Sequence, residues 1–276
     1  MRKFKNFKKD ILNIIKSIKR KIFKFFKDKF YELNPFSQIG EAVAQIYICD
    51  DSFKSVFGIN NFLSYLAPLS DSSGKLFIRI YSKNGTKYYE HKINLFNMQS
   101  EFIFIEKFLK RINSKSEMGI ISCKFKPNKS INKDHKLLGR IFSQPFIYYF
   151  NKSGAVSLIH PLSIVTDQKK SDEWISNQTI CVNGIKKIHL YQCNPSYKNH
   201  KTRYCLRDID NSDIYESKEL YIPRMGVKKL TFDLENIKSL DKNVSLRLFC
   251  SSLPSPNSKP LICREFKNKM ISMSHS

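Results

Sequence analysis

The chain has 276 residues, 41% of them hydrophobic and 13% aromatic, which is enough apolar material for real cores and excludes wholesale disorder. No apolar run reaches the roughly eighteen residues that a membrane-crossing helix needs. The net charge of +24 points to nucleic acid or an anionic membrane, unless the lysines only solvate the surface.

That charge is uneven. Residues 1–31 hold twelve Lys or Arg and two Asp, a net of +10, while the remaining 245 hold 36 basic and 22 acidic side chains, a net of +14. Lysines interrupt every stretch that would form the apolar core of a secretion signal, so none is expected here. Within residues 1–40, Phe4, Phe7, Ile11, Ile14, Ile18, Ile22 and Phe25 recur at steps of three and four. This is the pattern of one long amphipathic helix, ended by Asn34-Pro35. Lys5, Lys8, Lys9, Lys16, Lys19 and Arg20 occupy the other side. Such a helix suits a bilayer interface, with its rings in the acyl boundary and ammonium groups among anionic head groups. It equally describes a helix packed on its own domains or a coiled coil with a heptad seam of 4, 11, 18, 25 and 7, 14, although Lys21 falls at the next core position.

The rest of the chain reads as strands. FIRIY, EFIFI, GIISCKF and FIYYF are β-branched and aromatic runs, as are KIHLYQC, VKKLTF, VSLRLF and LICREF. Asn84-Gly85, Ser153-Gly154, Asn183-Gly184 and Asn194-Pro195 mark turns between them, and FIEKFLKR reads as a short helix or turn.

The runs also echo each other. Pro145 to His160 spans the same distance as Pro260 to His275, with Ile147 opposite Ile262, Ser157 opposite Ser272 and Leu158 opposite Met273. Upstream, Ile78–Tyr81 parallels Ile188–Tyr191, Tyr89-Glu90 parallels Tyr215-Glu216, and Cys123 parallels Cys250. The shared order predicts a mainly β protein in which two tandem antiparallel β-sandwich domains, 41–163 and 164–276, arose by internal duplication. Within the second copy, the succession NG-IHLY, YIPRMGVKKLTFDL, VSLRLFCSSL and KPLICREF resembles the sensory rhodopsin transducer family. The resemblance covers residues 180–266. It implies a compact, typically oligomeric β-sandwich with adaptor or ligand-binding roles, and it transfers no functional residue.

His160 and His275 end equivalent strands and are the candidates for a repeated general base or anion contact; a sheet-edge histidine copied with its domain explains them as well. His189, Cys193, His200 and Cys205 are zinc-ligand types without a CxxC knuckle, so no metal site is expected. Asp208, Asp210, Asp213 and Glu216 lack the Gly and terminal Glu of a calcium loop. The seven cysteines are odd in number and sit mostly in apolar runs, which suggests free thiols in a reducing compartment. No phosphate, dinucleotide or hydrolase signature occurs, so no cofactor is expected.

These features together suggest a non-enzymatic binding or scaffolding protein at the cytoplasmic face of a membrane. Its sandwiches would take a glycan, lipid head group or protein, and the resemblance implies an oligomer. The alternatives are an enzyme acting on a sugar-type or membrane-associated substrate, with His160 or His275 as base, and a nucleic-acid-binding protein.

Overall fold

The computed structural model describes residues 43–61, 73–113, 118–128, 145–152, 154, 156–159, 173–216, 219–236, 244–255, 258–268 and 270–275. The helix expected over 1–40 lies outside them. Strands dominate the described residues, and every pairing is antiparallel.

The first half runs β1 (Val43–Ile48), β2 (Phe53–Asn60), β3 (Gly74–Ser82), β4 (Lys87–Leu95), β5 (Ser100–Phe104), α1 (Ile105–Arg111), β6 (Met118–Pro127), β7 (Phe146–Asn151) and β8 (Val156–Ile159). These strands form two sheets, β1-β6-β3-β4 and β5-β2-β7-β8. In β3, Leu76, Ile78 and Ile80 are buried while Lys75, Phe77 and Arg79 are less covered, the alternation of a strand with one inward face. The inward residues share one core with Phe57, Ile103, Ile147 and Tyr149 of the other sheet. FIEKFLKR is indeed a short helix, α1, and it buries Ile105 and Leu109.

The second half runs β9 (Trp174–Cys181), β10 (Ile185–Cys193), β11 (His200–Thr202), β12 (Tyr204–Arg207), β13 (Asp213–Glu216), β14 (Leu220–Ile222), β15 (Val227–Asp233), a 3-10 turn (Leu234–Asn236), β16 (Ser245–Cys250), β17 (Leu261–Phe266) and β18 (Ile271–His275). Its sheets are β9-β16-β12-β13 and β15-β10-β17-β18, with β11 and β14 forming a small extra pair. Ile188, Leu190, Phe232 and Ile262 meet Tyr204, Leu206, Leu246 and Leu248 in a second core.

The strand orders of the two halves are the same once β11 and β14 are set aside. β1-β6-β3-β4 recurs as β9-β16-β12-β13, and β5-β2-β7-β8 recurs as β15-β10-β17-β18. Register repeats too: Tyr148 faces Leu158 across β7 and β8, and Cys263 faces Met273 across β17 and β18. The turn after β3 has hydrogen bonds from Ser82 N to Thr86 O and from Gly85 N to Ser82 O. The turn after β12 repeats them from Asp208 N to Ser212 O and from Asn211 N to Asp208 O. Even backbone handedness recurs, since Gly85 and Asn211 both take positive φ, as do Met98 before β5 and Met225 before β15.

This order corrects one expected equivalence. Ile78–Tyr81 lies in β3 and Ile188–Tyr191 in β10, yet β10 occupies the place of β2, and β12 the place of β3. Both segments are central strands with similar alternation, so composition alone paired them wrongly.

The halves share apolar surface. Tyr191, Cys193, Met225, Val227, Leu261, Cys263 and Met273 belong to the same buried cluster as Ala44, Ile46, Ile48 and Ile120. β10 and β15 lie against β1 and β6, and β18 lies beside β8. The backbone N–H of Val227 donates to the Lys83 carbonyl at 2.9 Å. A Cβ on Gly85 (φ 82°) would stand 1.9 Å from the Arg224 carbonyl oxygen, so only glycine permits this approach of turn to turn.

Candidate functional site

Of the expected site residues, only His275 falls among the described ones. Phe4, Phe7, Ile11, Ile14, Ile18, Ile22, Phe25, Lys5, Lys8, Lys9, Lys16, Lys19, Arg20 and His160 lie outside the described residues. His275 is half-buried on β18, opposite Leu261.

The four zinc-type residues are dispersed. His189 Nδ1 lies 2.9 Å from Thr231 Oγ1, and its Nε2 lies 3.2 Å from Glu265 Oε2. Cys193 is fully buried, His200 Nε2 donates to the Ser252 carbonyl at 3.1 Å, and Cys205 Sγ donates to Asp213 at 3.4 Å. Among the described residues no three His, Cys, Asp or Glu side chains are placed to hold a metal ion. In the acidic stretch, Asp208 Oδ1 accepts from Ser212 N at 2.8 Å to close its turn, and Asp213 accepts from Arg207 Nε at 2.6 Å. That bond holds the Asp213 carboxyl below its ordinary range.

None of the seven cysteines is in a disulfide. Burial pushes the Cys49 and Cys205 thiols up to about 11 and that of Cys263 up to about 12, so none of these three is a thiolate at neutral pH. The His189–Thr231–Glu265 cluster is the one that most resembles catalytic machinery. It is also what a cross-strand polar ladder makes, since His189 stands opposite Thr231 in register.

A different feature stands out on the first half. The outward face of β5-β2-β7-β8 is aromatic. One row across it reads Phe102, Gly58, Phe146; the next reads Phe104, Val56, Tyr148, Leu158; the third reads Lys54, Phe150. Phe102 and Phe104 are each 50% exposed, Phe150 37% and Leu158 59%. Successive rings touch: Phe102 to Phe146 at 6.1 Å between centroids, Phe146 to Tyr148 at 5.2 Å, and Tyr148 to Phe150 at 6.1 Å. Gly58 lies beneath the Phe146 ring. Lys107 Nζ stands 4.9 Å from the centroid of Phe104, and Lys54 pairs with Glu106 at 3.2 Å, so ammonium groups border the face.

The inner residues of the same strands, Ile103, Ile147 and Tyr149, fill the core. The clue in the sequence was alternation without a polar phase. In EFIFI and FIYYF both faces are apolar or aromatic, which signals a strand covered on both sides. Sequence reasoning read them as strands and missed the face.

Comparison with known proteins adds no family. No family model matches the chain, and no curated protein matches it. Among solved structures it is similar to a β-glucuronidase from Parabacteroides merdae, with 12% identity, a TM-score of 0.19 and coverage of 89% of this chain and 28% of that one. It is also similar to the exo-chitosanase of Amycolatopsis orientalis, with 8% identity, a TM-score of 0.14 and coverage of 75% and 24%. The chain thus spans about a quarter of the length of these enzymes, and at such TM-scores the likeness carries no argument.

Proposed function

We propose that this is a non-enzymatic binding protein, a duplicated β-sandwich whose first repeat presents the aromatic face of β5-β2-β7-β8 to a protein surface. The recurrence of strand order, register and turn geometry supports descent from a duplication. The observation that carries the binding reading is the exposure of Phe102, Phe104, Phe150 and Leu158 on one continuous sheet face. Exposed apolar patches of this kind mark interaction sites. A glycan or a lipid head group needs convergent hydrogen-bonding groups. The middle of this face has a single hydroxyl, that of Tyr148, and is otherwise phenyl rings, an isobutyl group, valine and glycine. A protein partner therefore suits it better than a sugar.

Attachment to the cytoplasmic face of a membrane through residues 1–34 belongs to the same proposal, supported by the concentration of basic charge there. Among the described residues no helix is long and apolar enough to cross a membrane.

The binding reading is tested with a photo-crosslinking amino acid at position 148, compared in cells with one at Asn94, an exposed position on β4. Adducts are expected from 148 and not from 94; the absence of adducts from 148 defeats the reading. For attachment, the full chain and a variant with Lys5, Lys8, Lys9, Lys16, Lys19 and Arg20 changed to Gln are spun with anionic vesicles. Equal recovery of both in the supernatant would remove the membrane from the proposal.

A further inference from the structure

The aromatic face has a counterpart that is already in use. In the second repeat the matching sheet is β15-β10-β17-β18, and its outward face covers β1 and β6 of the first repeat. Register gives the matches. Tyr191 stands where Gly58 stands, Leu261 where Phe146 stands, Cys263 where Tyr148 stands, and Met273 where Leu158 stands.

The turns before β15 and β5 match as well. Met225 and Met98 hold the same left-handed conformation, φ 50° and 57°. Met225 is buried between the repeats at 2% exposure, whereas Met98 is 50% exposed beside Phe96 at 62%. The first repeat thus displays, uncovered, the β2-β7-β8 part of the surface with which the second repeat grips the first, whereas Phe102 and Phe104 match Lys229 and Thr231, which stay exposed.

The surface that is gripped has a counterpart too. Ala44, Ile46, Ile120, Ser122 and Tyr81 form the part of the β1-β6-β3-β4 sheet that lies on the face of Arg79 and Glu90, near β10 and β15. Their register equivalents on β9-β16-β12 are Ile175, Thr179, Arg247, Phe249 and Arg207. Ile175 is 39% exposed, the Arg207 guanidinium lies 3.6 Å from the centroid of Phe249, and Arg247 Nε has no hydrogen-bond partner among the described residues.

Resting on the proposed binding reading, we propose that the partner of the aromatic face is a second copy of this chain. Its β9-β16-β12 face meets the aromatic face of the first copy and continues the repeat-on-repeat packing from one molecule to the next. Phenyl and phenol rings facing guanidinium groups and Ile175 are chemically complementary.

The contact is head-to-tail, so it leaves one face open on each end of a dimer and extends with concentration. The turns will not approach as closely as Gly85 and Arg224 do, because Asn211 carries a Cβ where Gly85 has none. The association therefore rests on the sheet faces.

Analytical ultracentrifugation of the full chain over a concentration series tests this. The wild type should form dimers and larger species as concentration rises. A face variant, Tyr148→Glu with Leu158→Glu, and an end variant, Ile175→Glu with Thr179→Glu, should each remain monomeric, with urea midpoints confirming that both are folded. If either fails to fold, Leu158→Lys or Ile175→Lys replaces it. Mixed in equal amounts, the two variants should form a dimer and nothing larger, since one retains a working face and the other a working end.

A wild type that stays monomeric throughout, or an end variant that still dimerises, overturns the inference. The crosslink at position 148 separates the two readings. An adduct between two copies supports self-association. An adduct with a different protein overturns it and leaves the binding reading intact, and no adduct defeats both.

Discussion

Gly58→Ala places a methyl group under the Phe146 ring, and its effect should depend entirely on that ring. The new Cβ would lie 2.3 Å from Cε2, 2.7 Å from Cζ and 3.0 Å from Cδ2 of Phe146. The ring is half-buried and can swing outward. Doing so gives up its edge contacts with Tyr148 at 5.2 Å and Phe102 at 6.1 Å. Each such pair contributes about 0.5–1.5 kcal/mol, so their loss costs about 1–3 kcal/mol. Alanine in a strand interior recovers about 0.5–1 kcal/mol of the entropy cost of glycine. The net expectation is a destabilisation of up to about 2.5 kcal/mol. In a Phe146→Ala background the clash is gone, and the same Gly58→Ala change should stabilise by about 0.5–1 kcal/mol. Urea unfolding of the four variants closes the cycle, with unchanged slopes confirming a common unfolding reaction. If Gly58→Ala has the same sign and size in both backgrounds, the glycine is not there to seat Phe146.

Two further predictions concern stability. Gln45 is fully buried on β1, and neither atom of its amide has a partner among the described residues, so Gln45→Met should stabilise the protein by about 1–3 kcal/mol. A lower urea midpoint for that variant would sink the account. The pKa of His189 is lowered chiefly by burial and secondarily by Lys229, with Glu265 opposing. Above the unfolded value of about 6.5 the imidazole is neutral in both states; as pH falls through it, the unfolded chain takes the proton first and stability drops. His189→Gln should therefore flatten the stability profile between about pH 6.5 and 5. An unchanged slope there would show that the histidine titrates alike in both states.

Much of the strand content was legible because the runs are β-branched and aromatic and the turns carry their own chemistry. Asn84-Gly85 and Asn183-Gly184 end as glycines at φ 82° and 73°. The echo of Pro145–His160 in Pro260–His275 corresponds to identical register in β7–β8 and β17–β18. What local pattern could not supply is neighbourhood. FIRIY and KIHLY alternate alike, and only the pairing of β3 with β4 and β6, against β10 with β15 and β17, tells them apart. Exposure was hidden for the same reason. Tyr148 and Cys263 hold one register position, but whether that position is covered depends on what packs over the sheet, a fact held in residues a hundred positions away.

The shared surface between the repeats also has a consequence in time. Ile46, Ile48 and Ile120 are made early, but their cover comes from Tyr191, Leu261, Cys263 and Met273, which are made late. At an elongation rate of about 5–20 residues per second, the interval from residue 160 to residue 275 lasts roughly 5–25 seconds. For that period a nascent first repeat carries two open sheet faces, the aromatic one and the one awaiting its sibling. A ribosome translating the next message copy holds another chain in the same condition nearby. The repeat that finally closes over β1 and β6 is thus in competition with every neighbouring chain, and synthesis rate becomes one of the quantities that decides which molecule it closes upon.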